Sequence, residues 1–251
     1  MLQGLVDQLQ AVGAWFADPV NWSGHDGIPN RMTEHLVMCL LSMIAALLVA
    51  LPIGLFIGHT NRLSFVAVQL SNIGRAVPSY AVMALLYPLS IAFSVMGPGG
   101  DIAYLATFLA MVLLAIPPIV TTTYAGMRGV DGDLLEAARG MGMRGHQVLR
   151  RVELPLALPV LLTGIRIASV QVVATATLGA VFGGGGLGRF IIQGQARQDN
   201  ARLWAGAILV AVLAVAAELV FGWLARRADR TVRGAAQTFD TIAEPPPEAT
   251  R

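Results

Sequence analysis

DLLEAARGMGMRGHQVLRRVELP, residues Asp133 to Pro155, is a polar island in an apolar chain. It sets Asp133, Glu136, Arg139, Arg144, His146, Arg150, Arg151 and Glu153 between two long hydrophobic runs. Its local chemistry predicts a helix, a glycine break and a second helix. Asp133 is placed to cap early backbone N–H groups while Glu136, three residues on, reaches back, which makes a capping box. Leu134, Leu135, Ala137, Ala138 and Met141 then form a small apolar face at helical spacing. Gly140 and Gly142 weaken the helix and permit a sharp turn. A second amphipathic segment runs from Arg144 to Leu154, with Pro155 marking its exit. A short exposed helix with small residues on one face suits a groove in another protein.

Composition explains why such an island stands out. The chain has 251 residues, of which 55% are hydrophobic and 13% charged. A soluble domain carries about twice that charge, so the class is all-α integral membrane protein. All 17 basic residues are Arg, and the net charge of +2 gives no ground for binding nucleic acid. The single cysteine, Cys39, excludes an intrachain disulfide and a cysteine metal cluster. Residues 1–20 lack a basic leader and contain Asp7 and Asp18, so no cleavable signal peptide is expected.

Read in order, residues 1–32 form an outer segment whose first sixteen residues are amphipathic, suited either to the membrane surface or to packing on the membrane domain. Residues 33–227 form the membrane domain, and 228–251 a polar, proline-rich, disordered tail. Five spans are expected, at about 36–58, 65–96, 102–127, 159–182 and 203–224. The second is long and interrupted by Pro78 and Pro88, so six crossings result if it passes twice. With five spans, Arg62, Arg128, Arg139, Arg144, Arg150, Arg151, Arg226, Arg227, Arg230, Arg233 and Arg251 share the side of the polar island. The opposite side holds Arg31, Arg189, Arg197 and Arg202. Cytoplasmic loops carry the arginine excess, which places the island and the C-terminus inside and the N-terminus outside.

Polar residues within the spans are the candidates for function. Arg75, Arg166 and Glu218 read chiefly as structural, Glu218 as the partner of a cation on a neighbouring helix. The fourth span carries Thr163, Gly164, Ala168, Ser169, Gln171, Thr175, Ala176, Thr177 and Gly179 on one face, which suits close helix packing. The same face suits a solute path touched by Gln171 and Thr175. The glycine run 183–186, followed by Leu187 and Gly188, is no phosphate loop, because no strand precedes it and no Lys-Ser/Thr follows. It reads as a tight external turn. No spacing of His, Cys, Ser or Asp suggests an active site.

The island's spacing is specific. Glu136-Ala137-Ala138, three residues, Gly142, nine residues, Val152, one residue and Leu154-Pro155 resemble the EAA loop of type I ABC-importer permeases. Residues 72–79, 116–120, 123–131 and 174–192 are similar to the permeases of osmoprotectant importers, so the resemblance spans about 30 to 225. It implies that the loop, within 129–155, couples to separate ATPase subunits that hold ATP and Mg, with no cofactor on this chain. It also implies a second permease subunit, identical or paralogous, and an external solute-binding protein. The implied mechanism is alternating access in a bacterial or archaeal cell membrane, for solutes such as glycine betaine, carnitine or choline. Aromatic faces such as Tyr80, Tyr87 and Tyr124 offer weak cation–π contacts to such solutes, with core packing as their other role. Two other readings stand beside it: a permease for another small solute such as methionine or a sulfonate, and a secondary transporter or channel.

Overall fold

The computed structural model describes residues 2–65, 69, 72, 74, 76–93 and 103–243. Arg75, the loop 97–101 and the prolines at 245–247 lie outside the described residues. Helix α1 (Leu2–Ala17) precedes α2 (Ile28–Thr60), α3 (Ser79–Phe93) and α4 (Tyr104–Arg128). The polar island folds as α5 (Gly132–Gly140), α6 (Gly145–Val148) and a π-turn (Leu149–Glu153). Then come α7 (Leu154–Gly179), α8 (Gly188–Arg197) and α9 (Asn200–Ala243). No strand occurs among the described residues.

Among the described residues, four helical stretches are long and apolar enough to cross a bilayer: Ile28–Thr60, Tyr104–Arg128, Gly145–Phe182 and Asn200–Asp229. The shorter apolar helix Ser79–Phe93 stands in the second expected span. That span breaks at Val77–Pro78, where the helix is interrupted, whereas Pro88 stays inside α3. Prolines also sit inside α2, α4 and α7. A proline leaves the carbonyl four residues before it without its helix donor, and in hydrocarbon a nearby hydroxyl or carbonyl gains from a local partner. Accordingly Thr121 and Thr122 donate to the carbonyls of Pro117 and Pro118 at 2.6 and 2.8 Å, and Thr163 donates to that of Pro159 at 3.1 Å.

Helix α4 is the axis of the bundle, packed between α2 and α7. The core joins Met38, Met43, Ala46 and Ala50 of α2 to Met111, Ala115 and Ile119 of α4 and to Ala168, Val172 and Ala176 of α7. Small residues let these backbones approach, which is how membrane helices gain contact when lipid is as apolar as they are. Gly164 is the closest case: a methyl group there would stand 1.7 Å from Thr122 Oγ1. The opposite faces of α2 and α9 stay apolar and open, with Leu40, Leu48, Val212 and Leu219 all more than 60% exposed. Those are faces for lipid.

Two side-chain links define the ends of the bundle. At one end His59, near the C-terminus of α2, meets Glu153 of the π-turn at 2.5 Å. At the other, Glu34 and His35 of α2 accept from the backbone N–H groups of Gly186 and Leu187, at 2.9 and 3.3 Å. The chain is therefore at the island end at residue 59. It has reached the far end by residue 107, because Thr107 packs on Gly179, just before the glycine turn. Residues 59 and 107 therefore lie at opposite ends of the bundle. Helix α1 packs at the far end, where Trp15 meets Phe190 edge-on at 5.5 Å, so the packed arrangement holds for this segment. Helix α9 continues to Ala243, past the start of the tail drawn from composition at 228, through residues such as Ala228, Arg230, Ala235 and Ala236 that favour helix.

Candidate coupling loop and translocation residues

Helix α5 begins one turn feature earlier than the sequence suggested. Its cap is Asp131, whose carboxylate accepts from the N–H of Asp133 at 2.9 Å. Asp133 is not the cap. It lies in the first turn, where its charge favours the helix dipole, and Arg139 does the same in the last turn. The capping box expected of Asp133 and Glu136 gives way because Asp131 is the residue with extended backbone just before the helix.

The C-terminus of α5 closes as a Schellman motif. The N–H of Met143 donates to the Ala138 carbonyl at 3.2 Å, and that of Gly142 to the Arg139 carbonyl at 2.9 Å. Gly142 adopts φ +83°, the left-handed conformation this turn requires. Of the small apolar face, Ala138 is buried at 2% exposure, and α5 packs back on α6 and the π-turn. Leu134 and Met141 stay exposed, at 50% and 72%, beside exposed Glu136 and Ala137. Leu134 and Met141 thus leave an apolar edge rimmed by charge on a capped helix.

The second half of the island also differs from expectation. Gln147 Oε1 accepts from the Arg144 N–H at 2.7 Å and starts α6. Pro155 does not end the segment. The π-turn carries the chain on, with the Leu154 N–H bonded to the Leu149 carbonyl, and Pro155 falls in the first turn of α7. Proline lacks an N–H to donate there, and the wider π-turn just before it accommodates the ring within the helical path. One helical path therefore runs from Gly145 to Phe182, and Val152, Leu154 and Pro155 lie at the junction of loop and span.

The residues proposed for a solute path are spread along the bundle. Thr175 is buried at 2% exposure, Gln171 is half-buried, and Tyr80 is 52% exposed. The ring of Tyr80 stacks at 5.1 Å on Phe182, which also meets Tyr87 at 5.6 Å. Tyr124 stands apart on α4. A cavity of about 230 Å³ opens at the far end, lined by Asn30, Glu34, His35, Tyr104, Thr107 and Gly186 among others. An apolar groove lies between α2, α7 and α9. Neither is lined by Gln171, Thr175 or Tyr80. Arg166 and Glu218 form the ion pair expected of Glu218, with Arg166 Nε donating to Glu218 Oε1 at 2.7 Å.

Sequence reading missed the links between distant segments. Arg31 pairs with Asp26 and, at 2.6 Å, with Glu34, while Asn30 donates to Glu34 at 2.8 Å. The Arg31 hydrogen bond holds the Asp26 carboxyl below its usual range. The glycine turn is tied rather than loose, since Arg189 Nε donates to the Gly184 carbonyl at 3.0 Å. No signal in the sequence pairs Glu34 with Gly186, or His59 with Glu153.

The comparisons with known proteins decide the family. The family of binding-protein-dependent transport system inner membrane components matches residues 50–230. This chain belongs to that family. The permease is 36% identical over 226 residues to the carnitine transport permease protein OpuCD of Listeria monocytogenes, covering 90% of this chain and 92% of that one. It is 34% identical over 222 residues to the glycine betaine/carnitine/choline transport system permease protein OpuCD of Bacillus subtilis, covering 88% and 90%. It is 39% identical over 196 residues to the osmoprotectant import permease protein OsmY of Salmonella typhimurium, covering 77% and 79%. The fold matches a structure of the MetNI methionine ABC transporter in an inward-facing conformation, with TM-score 0.69 at 22% identity, over 80% of this chain and 95% of that one. The permease is thus an all-helical, multi-pass membrane component of a binding-protein-dependent transporter, with the type I importer fold.

Proposed function

We propose that this permease imports a quaternary ammonium osmoprotectant, driven by separate ATPase subunits seated on α5. The observation that carries the ATPase contact is the exposed Leu134–Met141 face beside Glu136, on a helix held rigid by the Asp131 cap and the Gly142 turn. Glu136, Ala137, Ala138, Gly142, Val152, Leu154 and Pro155 form the coupling region. ATP and Mg belong to the partner subunits, and this chain carries no cofactor. The solute class rests on the relatives, whose names specify carnitine, choline and glycine betaine. The likeness to a methionine transporter concerns fold alone.

A second permease subunit and an external solute-binding protein complete the machine. Closure of the ATPases on ATP moves the coupling helices and turns the bundle outward, and hydrolysis resets it. Gln171, Thr175 and Tyr80 line the path at some stage of that cycle and hold solute weakly enough to release it. The experiment is co-purification with the ATPase and binding protein, followed by ATP hydrolysis with candidate solutes. Glycine betaine, carnitine or choline should stimulate hydrolysis, and methionine should not. Stimulation by methionine alone sinks the solute assignment. In the same system, substitution of Gln171, Thr175 or Tyr80 should lower the maximal uptake rate more than the apparent affinity.

The arginine distribution orients the permease with its N-terminus outside and its C-terminus in the cytoplasm. Reporter fusions at Gly24 and Thr238 should report opposite sides. The same side for both sinks the five-span arrangement.

A further inference from the structure

The coupling loop reaches two spans by two different routes. Helix α7 continues the loop without a break from Gly145 to Phe182, so it moves with the loop through its own backbone. Helix α2 is distant in sequence and packs mainly on α4 and α7. It reaches the loop through His59, whose Nδ1 donates to Glu153 Oε2 at 2.5 Å across 94 residues of chain. The Glu153 side chain is 5% exposed, against 25% for His59. On the other side of the imidazole, a methyl group at Gly145 would stand 3.6 Å from His59 Nε2. The ring therefore lies between the start of α6 and the end of the π-turn, the two limbs of the loop's root. Withdrawing a carboxylate from water is costly unless it is paired. Packing alone does not explain why Glu153 is placed there, and His59 is its partner.

We propose that the His59–Glu153 pair is a clasp that carries movement of the coupling loop into α2. Both are then positioning residues for transport, acting through the helix rather than on solute. The inference rests on the importer reading above. Its consequence lies at the other end of the same helix. Glu34 and His35 of α2 hold the glycine turn through the N–H groups of Gly186 and Leu187. From residue 35 to residue 59 an α-helix spans about 36 Å at 1.5 Å per residue. This helix, which carries Pro52 within it, is fixed to the loop at one end and to the outer turn at the other, and so links the ATPase side to the outer closure. Without the clasp, the loop and α7 move while α2 lags, and ATP is consumed without opening the outer turn.

The test compares His59→Leu with His59→Gln in the complete complex with its ATPases and binding protein, reconstituted in vesicles. Leu keeps the bulk of the ring and loses the donor; Gln keeps an N–H to offer Glu153. The readout is solute imported per ATP hydrolysed. Side chains along coupling networks shift coupling by amounts corresponding to about 2- to 30-fold. His59→Leu should fall by that factor with basal hydrolysis retained, and His59→Gln should stay near wild type. Unchanged coupling in His59→Leu overturns the clasp. Equal losses in both variants, or failure of His59→Leu to assemble, overturn it too, because the pair is then a packing or folding element. The wild-type complex separates this from the importer reading. Absence of solute-stimulated hydrolysis there overturns that reading, whereas a coupled wild type beside a coupled His59→Leu overturns the clasp alone.

Discussion

Uptake should fall to background when Gly142 is replaced by Asp, while the protein should still insert in the membrane. Gly142 adopts φ +83°, and a β-carbon placed there meets nothing within 4 Å. The penalty is therefore in the backbone and not in crowding. An L-residue in the left-handed region costs about 1–2 kcal/mol, with Asp among the less penalised. That is enough to loosen a two-bond turn that fixes how α5 leaves the membrane. The spans lie elsewhere and do not feel it. Glu136→Lys provides an independent route to the same loss, because Glu136 is exposed and its reversal of charge alters the docking face without touching the fold. Gly142→Ala should be intermediate, since it adds the strain without a new charge. Solute uptake, normalised to the permease content of isolated membranes, is the measurement. Normal uptake by both Gly142→Asp and Glu136→Lys sinks the coupling role of α5.

Replacing Gly164 with Leu should remove most of the folded protein. A β-carbon at Gly164 would stand 1.7 Å from Thr122 Oγ1, 2.8 Å from Thr122 Cβ and 3.1 Å from the Pro118 carbonyl. Thr122 does not swing away cheaply. Its Cβ is fixed to the helix, its branched side chain has few rotamers, and its hydroxyl is bonded to Pro118 at 2.8 Å. Overpacking in a well-packed core costs about 1–3 kcal/mol, and a contact this short must displace α7 from the axis helix α4. The yield of monodisperse protein in detergent should drop about 30-fold, the change that about 2 kcal/mol, the middle of that range, corresponds to. Gly132→Ala is the control, because a β-carbon there meets nothing within 4 Å. Thr122→Ala should recover part of the loss in the double variant. Wild-type yield for Gly164→Leu would mean that α4 and α7 are not packed this closely.

The two variants fail for reasons that differ in how far the sequence shows them. The demand for glycine at 142 was legible, since a helix of small residues ends there and a second amphipathic segment starts two residues later. The demand at 164 was legible only as one small residue on a face of small residues. Nothing in the sequence singled out Thr122 as the group that a side chain at 164 would strike. The aromatic residues repeat the pattern: Tyr80, Tyr87 and Tyr124 looked alike in sequence, yet Phe182 gathers the first two and leaves the third apart.

By itself the sequence determined what depends on local composition and spacing. Runs of apolar residues longer than the bilayer core must be spanning helices, because unpaired backbone cannot lie in lipid. A charged, glycine-broken interruption must therefore lie outside the bilayer, and its spacing resembles the EAA loop of type I ABC-importer permeases. Tertiary structure decided what depends on which segments meet. The cap of α5 fell to Asp131 because backbone conformation, and not residue type alone, selects among neighbouring aspartates. The helix ran on through Pro155 because a π-turn rejoined loop and span. The links from Glu34 to Gly186 and from His59 to Glu153 join residues 152 and 94 apart. Contacts at such separations follow from how helices pack, and helix packing in lipid is governed by shape at close range, which no single stretch of sequence contains.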